Sequence, residues 1–423
     1  MRILRLNDLY PYREKLPNLG DRALQIGFVE LLEQFGDVQQ QGPWKALATL
    51  TGARYARQSL KGQVWLDAQI QTILDEAPVR SRIEAMLARS LEFLLRDRFF
   101  MRPLDRFAEK HTGISWIDVV LPRLLRRHAM NRLKQAISDS DVVVFCAGGL
   151  LADHLVNYLP ERLVQLYLAH RMGKPVAIAN YSLALDKPQH RTLAAPVLRA
   201  MDVHLVREPR SSEALVALGV ERDRIIKSMD SAFVLRAPPA KECQGLRIGV
   251  MIRGDRKVEF SAWAELLTQL KRRTGAQIHY LQNCFKYDPP VRTRLGTLCE
   301  LDDDGEFRDL PAAMGELASM QLVITDRYHG LVFSMLSGVG LVALTGTTHK
   351  TRGLLEAVSY PLACQPALSS TNLQSVLHTC EQALADRISL GKCSADAGNR
   401  MKKHVKMDYV ELLKRLRKRL PEV

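Results

Sequence analysis

The run from Asp326 to Gly330, Asp-Arg-Tyr-His-Gly, combines side chains that bind anions with one that moves protons. Arg327 offers a bidentate guanidinium, and His329 offers an imidazole that titrates near neutral pH. A helix predicted to begin at Gly330 would add backbone N–H groups, which favour anions. The run could therefore bind a phosphate or carboxylate and exchange a proton with it. The structural alternative is an Arg–Asp ion pair beside a histidine bonded to backbone.

Further cations follow other apolar runs that we predict to be strands. Lys350 comes one predicted helix and one predicted strand after His329. It should therefore leave the neighbouring strand at the same edge of the sheet, where parallel sheets bind their ligands. Arg253 and Arg207 each follow a strand in the same way. Arg207 could reach an anion or pair with its neighbour Glu208.

Three smaller patterns could belong to the same kind of site. Gly148 and Gly149 would allow close backbone approach to a ligand, or only tight packing of a strand on a helix. They do not form a dinucleotide-binding fingerprint. Asp153 follows them as a candidate carboxylate. Ser211, after Arg207 and Glu208, is expected to cap a helix.

The segment Asn18-Leu-Gly-Asp21 places an amide, a flexible turn and a carboxylate at the start of a predicted helix. Asn18 could contact a substrate. Asp21 is either the N-cap of that helix, worth about 1 kcal/mol, or a general base. Local sequence favours the cap.

The elements that position these residues come in two series of short β-branched runs, separated by amphipathic stretches. This alternation is typical of parallel sheets. The predicted strands are Arg2–Leu6, Val142–Phe145, Val176–Ala179, Val203–Val206, Arg247–Ile252, Gln277–Tyr280, Leu322–Thr325 and Leu341–Leu344.

The proline-containing linker Ala237–Lys241 separates the two series. We therefore predict two Rossmann-like α/β domains, residues 1–238 and 239–423, that face each other across a cleft. A charged, helix-rich insertion occupies about 43–137 of the first domain.

Composition limits the class of protein. The 423 residues are 47% hydrophobic and 25% charged, an ordinary globular balance, with a formal charge of +14. The seven cysteines are scattered without a CxxC pair, and no histidine pattern suggests a metal site. No signal-peptide pattern or spanning apolar run is present. We expect a cytoplasmic protein that binds anions and has no metal or cofactor.

The residues Lys402–Val423 carry eight Lys or Arg and three acids within a helical pattern. A basic helix is most often a solvated face. It could instead hold the protein near an anionic membrane, as could the basic segment Arg123–Arg132.

Several of these motifs occur in an order that resembles the polysaccharide pyruvyl transferase family. The motifs are Asn18–Asp21, Asp141–Gly149, Arg207–Ser211 with Gly219, Asp230–Phe233, and Arg327–Gly330 through Gly338 to Lys350. The resemblance implies a fold similar to the GT-B glycosyltransferases. It also implies phosphoenolpyruvate as donor and a glycan or lipid-linked glycan as acceptor, with a cyclic pyruvate ketal as product.

The resemblance also suggests roles for individual residues. It implies donor binding by Arg327, His329 and Lys350, and by Arg207 of the R-E-x-x-S motif. His329 would be the proton donor or phosphate partner, and Asp21 or Asp153 would activate the acceptor hydroxyl. The sequence departs from the family pattern at Arg22 and Gly340, and in the size of the insertion.

Two other functions are compatible with the residues. A glycosyltransferase with a nucleotide-sugar donor would also need cations near a helix N-terminus. A non-catalytic protein that binds nucleic acid or another anion would explain the net charge. Against nucleic acid, the basic residues are dispersed and no recognition motif is present.

Overall fold

The computed structural model describes residues 1–6, 18–40, 62–75, 130–153, 159–238, 244–255, 257–306, 308–346 and 350–420. The described residues fall into two compact units. Unit 1 lies within Met1–Pro11, Leu32–Lys227 and Tyr409–Val423, and unit 2 within Tyr12–Leu31 and Ser228–Asp408. By its contacts, the segment with Asn18 and Asp21 therefore belongs to unit 2, together with the C-terminal sheet. The domain boundary after residue 238 stays a prediction.

Unit 1 is built on a six-stranded parallel sheet with strand order β2-β1-β3-β4-β5-β6. The strands are β1 (Arg2–Leu6), β2 (Asp37–Gln40), β3 (Val142–Ala152), β4 (Val176–Ala184), β5 (Val203–Val206) and β6 (Ile225–Lys227). Helix α1 (Leu19–Glu33) runs between β1 and β2 in the chain. The helices of unit 1 itself are α2 (Gly62–Asp75), α3 (130–139), α4 (Leu159–Arg171), α5 (Pro188–Ala200) and α6 (Pro209–Ala217). The central strands are almost wholly apolar, as expected where a parallel sheet is buried on both faces.

Strand β3 is longer than the sequence predicts, and this changes the place of the glycine pair. It extends from Val142 through Gly148 and Gly149 to Ala152, with a bulge in its pairing to β4. Gly148 has φ +53°, a left-handed conformation that glycine adopts without strain. The predicted strand Val142–Phe145 therefore ends too early, and Gly148 and Gly149 lie within the strand instead of after it. They bend a strand.

Unit 2 contains a four-stranded parallel sheet with strand order β10-β9-β7-β8. Its strands are β7 (Arg247–Met251), β8 (Gln277–Tyr280), β9 (Leu322–Thr325) and β10 (Gly340–Ala343). Its helices are α7 (Phe260–Thr274), α8 (Asp288–Gly296), α9 (Leu310–Ala318), α10 (Tyr328–Ser337), α11 (Lys350–Val358) and α12 (Leu373–Ala385). The strands all end at one edge, here called the carboxyl edge of unit 2. Helix α13 (Arg387–Arg417) begins in unit 2 and ends in unit 1.

The described elements agree closely with the predicted alternation. Four predicted strands match to the residue: β1, β5, β8 and β9. The sequence missed β2 and β6, and it placed the start of the C-terminal helix at 402 instead of Arg387. Within the predicted insertion, residues 62–75 and 130–137 are helical, and the rest lies outside the described residues. Most of the basic segment 123–132 and Pro239 of the linker also lie outside the described residues.

The core of unit 1 contains a neutral histidine. His204 is fully buried in β5; its Nε2 donates to the Leu198 carbonyl at 2.9 Å, and its Nδ1 accepts from the Tyr181 hydroxyl at 2.7 Å. Burial lowers the pKa of His204 to about 4. The folded state therefore cannot take up a proton at this site at pH values where the unfolded chain does.

This pKa predicts acid sensitivity of unit 1. The stability from keeping His204 neutral is complete above its unfolded pKa of about 6.5. It is lost as the pH falls towards 4, since only the unfolded chain binds the proton. We expect the wild type to lose about 2 kcal/mol more unfolding free energy between pH 7 and pH 5 than His204→Gln, measured by urea titration. His378→Gln, an exposed control, should behave as the wild type. Equal pH dependence in wild type and His204→Gln would contradict the assignment.

Candidate functional site

The carboxyl edge of unit 2 brings together residues that are far apart in the chain. Strand β7 is followed by Arg253, β8 by Asn283, and β9 by Asp326, Arg327 and α10. Because these strands are parallel neighbours, their following loops meet at one place. Helix α1 contributes its first turn to the same place, since Leu19 N–H donates to the Asn283 carbonyl at 2.8 Å.

His329 lies in the first turn of α10, which begins at Tyr328 rather than at the predicted Gly330. Its side chain is 13% exposed, and its Nε2 lies 3.6 Å from Oδ2 of Asp230. Asp230 is fully buried, and its Oδ1 accepts from the Ala232 N–H at 2.9 Å. The imidazole is thus next to a buried carboxylate, the kind of partner that fixes a histidine's orientation.

Gly20 lies against the opposite nitrogen of the same ring. A Cβ atom added to Gly20 would overlap Nδ1 of His329 and the adjacent ring carbon. Only glycine therefore allows the first turn of α1 to approach the imidazole this closely.

Asn18 fixes the start of α1. Its Oδ1 accepts from Gly20 N–H at 2.9 Å and from Nδ2 of Asn283 at 3.0 Å. Asn18 is therefore the N-cap, and the expectation that Asp21 caps the helix is wrong. An asparagine one turn earlier competes better for the free N–H groups, because it precedes the helical residues.

Asp21 instead lies in the first turn of α1, within the electrostatic reach of Arg253. The pKa of Arg253 is raised above its ordinary value, chiefly by its hydrogen bond to Asp255 and also by the charges of Asp326 and Asp21. Nε of Arg253 donates to Asp255 at 2.9 Å, and its backbone N–H donates to Asp326 at 2.9 Å. The predicted base and the predicted anion ligand therefore share one region.

Arg327 is buried inside the unit. Its guanidinium pairs with the fully buried Asp288 and donates from Nε to the Ile252 carbonyl at 3.2 Å. Its backbone N–H donates to Oγ1 of Thr325 at 3.0 Å. The structural alternative considered for Arg327 is thus realised, with Asp288 as its partner in place of Asp326. The role that this geometry supports for Arg327 is to hold the start of α10, and so to position His329.

Lys350 and Gly330 complete the predicted set in unit 2. Lys350 is half-buried and begins α11, after strand β10, which pairs in parallel with β9. It therefore leaves the neighbouring strand at the same edge, as predicted. Gly330 packs on β9, since a Cβ there would overlap the Thr325 hydroxyl. That close packing accounts for glycine at this position.

In unit 1, Arg207 belongs to a buried hydrogen-bond network. Its Nη2 donates to the Gly148 carbonyl at 3.1 Å and to the Ser182 hydroxyl at 3.0 Å. Glu208 accepts from Ser182 at 2.9 Å and from Ser211. Ser211 lies inside α6 and also accepts from the Leu183 N–H at 2.8 Å. The expectation that Ser211 caps the helix is wrong; it joins α6 to β4.

Asp153 has several hydrogen-bond donors. Its carboxylate contacts Nδ1 of His190 at 2.6 Å and accepts from the N–H groups of Asp186 at 2.9 Å and Lys187 at 3.1 Å. Burial alone would raise the pKa of Asp153, but these bonds bring the pKa below its ordinary value. A carboxylate stabilised in this way is a weak base. The prediction of a base therefore rests on Asp21, which follows Gly20 beside His329.

The predicted site residues therefore divide between the units. Unit 2 holds Asn18, Asp21, Arg253, Arg327, His329, Gly330 and Lys350, whereas unit 1 holds Gly148, Gly149, Asp153 and Arg207. The sequence pattern includes the motif Asp230–Phe233 but predicts no role for Asp230. It gave no signal for Asn283 or Asp288. Among the described residues, no group of three or more His, Cys, Asp or Glu side chains is arranged to hold a metal ion.

The family model for polysaccharide pyruvyl transferases matches residues 18–346. The chain belongs to the polysaccharide pyruvyl transferase family. The match begins at the N-cap of α1 and includes every predicted site residue except Lys350. Among curated proteins, no sequence matches this chain.

Two solved structures are similar over nearly the whole length of this pyruvyl transferase family member. UDP-GlcNAc 2-epimerase from Neisseria meningitidis, bound to UDP-GlcNAc, is 10% identical with a TM-score of 0.50, and the match covers 99% of this chain and 100% of that one. HepE from Anabaena, in complex with UDP and glucose, is 12% identical with a TM-score of 0.50 and the same coverage. At these identities the likeness concerns the fold alone. The fold is α/β and GT-B-like, as predicted.

The buried ion pair between Arg327 and Asp288 predicts that Asp288→Asn is destabilising. The substitution leaves the Arg327 guanidinium buried without its counter-charge, which costs about 3 kcal/mol. Urea unfolding at pH 7 measures this loss. The control is Asp304→Asn, whose half-exposed carboxylate pairs with Arg308; it should cost about 1 kcal/mol or less. Full stability of Asp288→Asn with loss of substrate binding alone would show that the pair serves the substrate rather than the fold.

Proposed function

We propose that this protein transfers the pyruvyl group of phosphoenolpyruvate to two hydroxyls of a glycan or lipid-linked glycan. The product is a cyclic pyruvate ketal, and phosphate is released. The observation that carries the proposal is the partly exposed imidazole of His329 at the N-terminus of α10, in a chain of this family. No metal or cofactor enters the proposed reaction.

The donor carries a phosphate and a carboxylate, so it needs cations and helix N-termini. Arg253 follows β7 and Lys350 begins α11 after β10, and the α10 dipole adds positive potential near His329. Arg253 is 29% exposed and held by Asp255. An anionic group of the donor would displace or share this partner. A direct contact between Arg207 and substrate remains a prediction, since its guanidinium contacts Gly148 and Ser182.

Ketal formation proceeds in two steps at C2 of the donor, an addition and then a displacement of phosphate. In the first, an acceptor oxygen bonds to C2 while the methylene carbon takes a proton and becomes a methyl group. In the second, the neighbouring acceptor oxygen bonds to C2 while the bond from C2 to the phosphate oxygen breaks. The new methyl group and the released phosphate account for the two hydroxyl protons. We assign proton delivery to His329 and acceptance of a hydroxyl proton to Asp21.

The competing hypothesis is transfer of a sugar from a nucleotide-sugar donor. It has one specific point in its favour, because both similar solved structures contain UDP or a UDP-sugar. Comparing turnover with phosphoenolpyruvate and with UDP-sugars separates the two hypotheses.

We expect the acceptor glycan to gain the mass of one pyruvate ketal with phosphoenolpyruvate, and no mass with a panel of UDP-sugars. His329→Ala should lower turnover by roughly 100-fold or more, since a general acid contributes that much. His378→Ala, at an exposed histidine of α12, is the matched control and should retain full turnover. Turnover with a UDP-sugar and none with phosphoenolpyruvate would overturn the proposal.

We further propose that the protein works in the cytoplasm at the anionic inner face of the membrane. Within the described residues, no helix has both the length and the apolar character that crossing a membrane requires. One face of α13 exposes Val410, Lys414 and Arg417, and Lys418 follows on the same face. These cations would attract the membrane surface without insertion.

The double variant Lys414→Glu with Lys418→Glu tests this contact. It should weaken binding to vesicles of phosphatidylcholine and phosphatidylglycerol by at least about 30-fold, because each cation contributes about 1 kcal/mol near an anionic surface. Vesicle flotation measures the binding. The control is Lys227→Glu with Lys286→Glu, which changes the net charge equally at two exposed lysines elsewhere. Equal losses in both double variants would show that net charge, and not this face, causes the attraction.

A further inference from the structure

We infer that Nδ1 of His329 is the nitrogen that reacts, and that Asp230 is the positioning residue that holds Nε2. The inference rests on the proposed function of His329. It adds which ring nitrogen exchanges the proton, and which buried group fixes that choice. A histidine has two different nitrogens, and the partner of one determines the protonation of the other.

Asp230 has the position that this role requires. Its side chain is fully buried, and one carboxylate oxygen is bound by the Ala232 N–H at 2.9 Å. The other oxygen lies 3.6 Å from Nε2 of His329, which is itself buried. This separation exceeds a hydrogen bond, but catalytic contacts often shorten when substrate binds. An imidazole proton on Nε2 would offset the cost of burying the carboxylate.

Gly20 leaves room for the edge of the ring that carries the other nitrogen. Nε2 is buried, whereas the His329 side chain is 13% exposed, so we assign the proton exchange with the donor to Nδ1. Nδ1 of His329 faces the one residue of this turn that has no side chain, and a Cβ there would overlap it. The turn cannot shift easily, because Asn18 caps it and Asn283 bonds to both Asn18 and Leu19. These three hydrogen bonds therefore hold the Gly20 backbone in place beside the ring.

Aromatic side chains fix the plane of the ring between these two contacts. The Tyr328 ring meets the imidazole edge-on with centroids 5.3 Å apart, and the Phe333 ring lies at 6.1 Å. With the plane fixed, Nε2 stays towards Asp230 and Nδ1 stays towards Gly20. In the proposed reaction the imidazolium gives its Nδ1 proton to the donor, and neutral His329 keeps the proton on Nε2.

The experiment measures the tautomer of His329 directly. In protein labelled with ¹⁵N-histidine, NMR correlation spectra distinguish the two neutral tautomers, and His329→Gln assigns the signal. We expect neutral His329 to carry its proton on Nε2 in the wild type. In Asp230→Asn this preference should be lost, because an amide can donate as well as accept. A wild-type His329 protonated on Nδ1 would overturn the inference.

Kinetics supply the second measurement. Asp230→Asn should lower kcat roughly 100-fold, with the KM for phosphoenolpyruvate within about 2-fold, because Asp230 is fully buried and its assigned role acts through His329. Asp309→Asn is the matched control, since Asp309 likewise caps a helix by accepting from the Ala312 N–H at 3.0 Å. It should retain full turnover. Asp230→Asn that turns over like Asp309→Asn, while His329→Ala is inactive, would overturn the positioning role.

The tautomer measurement on the wild type needs no variant at Asp230, so it tests the inference even if Asp230→Asn does not fold. If His329→Ala retains turnover, the proposed function of His329 fails, and the tautomer measurement still decides which nitrogen Asp230 holds.

Discussion

The ion pair between Arg327 and Asp288 is the interaction on which the rest of the candidate site depends. Asp288 uses its second oxygen to accept from the backbone N–H groups of Asn283 and Cys284, both at 2.8 Å. Asn283 in turn holds Asn18, and Asn18 sets the start of α1. The position of the first turn of α1 beside His329 therefore follows from a charge pair between the residue that precedes α10 and the first residue of α8.

The charges at this edge are more balanced than the sequence suggested. Arg253 and Arg327 each have a carboxylate partner, in Asp255 and Asp288. Fixed pairs keep the cations ordered and leave little net charge for non-specific anions. A donor with two anionic groups can compensate for displacing a carboxylate at Arg253, whereas a weakly charged molecule cannot. This arrangement favours a small, highly charged donor over diffuse polyanion binding.

Local pattern was enough to predict the strands and the edge at which the site lies. β-Branched runs predicted β5, β8 and β9 to the residue, and parallel pairing places β10, which precedes Lys350, beside β9, which precedes His329. It was not enough for contacts between distant residues. The pair of Arg327 with Asp288 spans 39 positions, and that of Asn283 with Asn18 spans 265. No local period encodes such distances.

Three of the sequence motifs, including the one that begins at Asp230, meet at His329. The segments Asn18–Asp21 and Arg327–Gly330 lie more than three hundred positions apart, with Asp230–Phe233 between them, yet in unit 2 all three surround one imidazole ring. One motif supplies the ring, one a buried carboxylate, and one a glycine that leaves room. A side chain at Gly20 or a neutral group at Asp230 would each disturb the same histidine. The three motifs therefore constrain one another through His329, and this shared contact explains why they occur together.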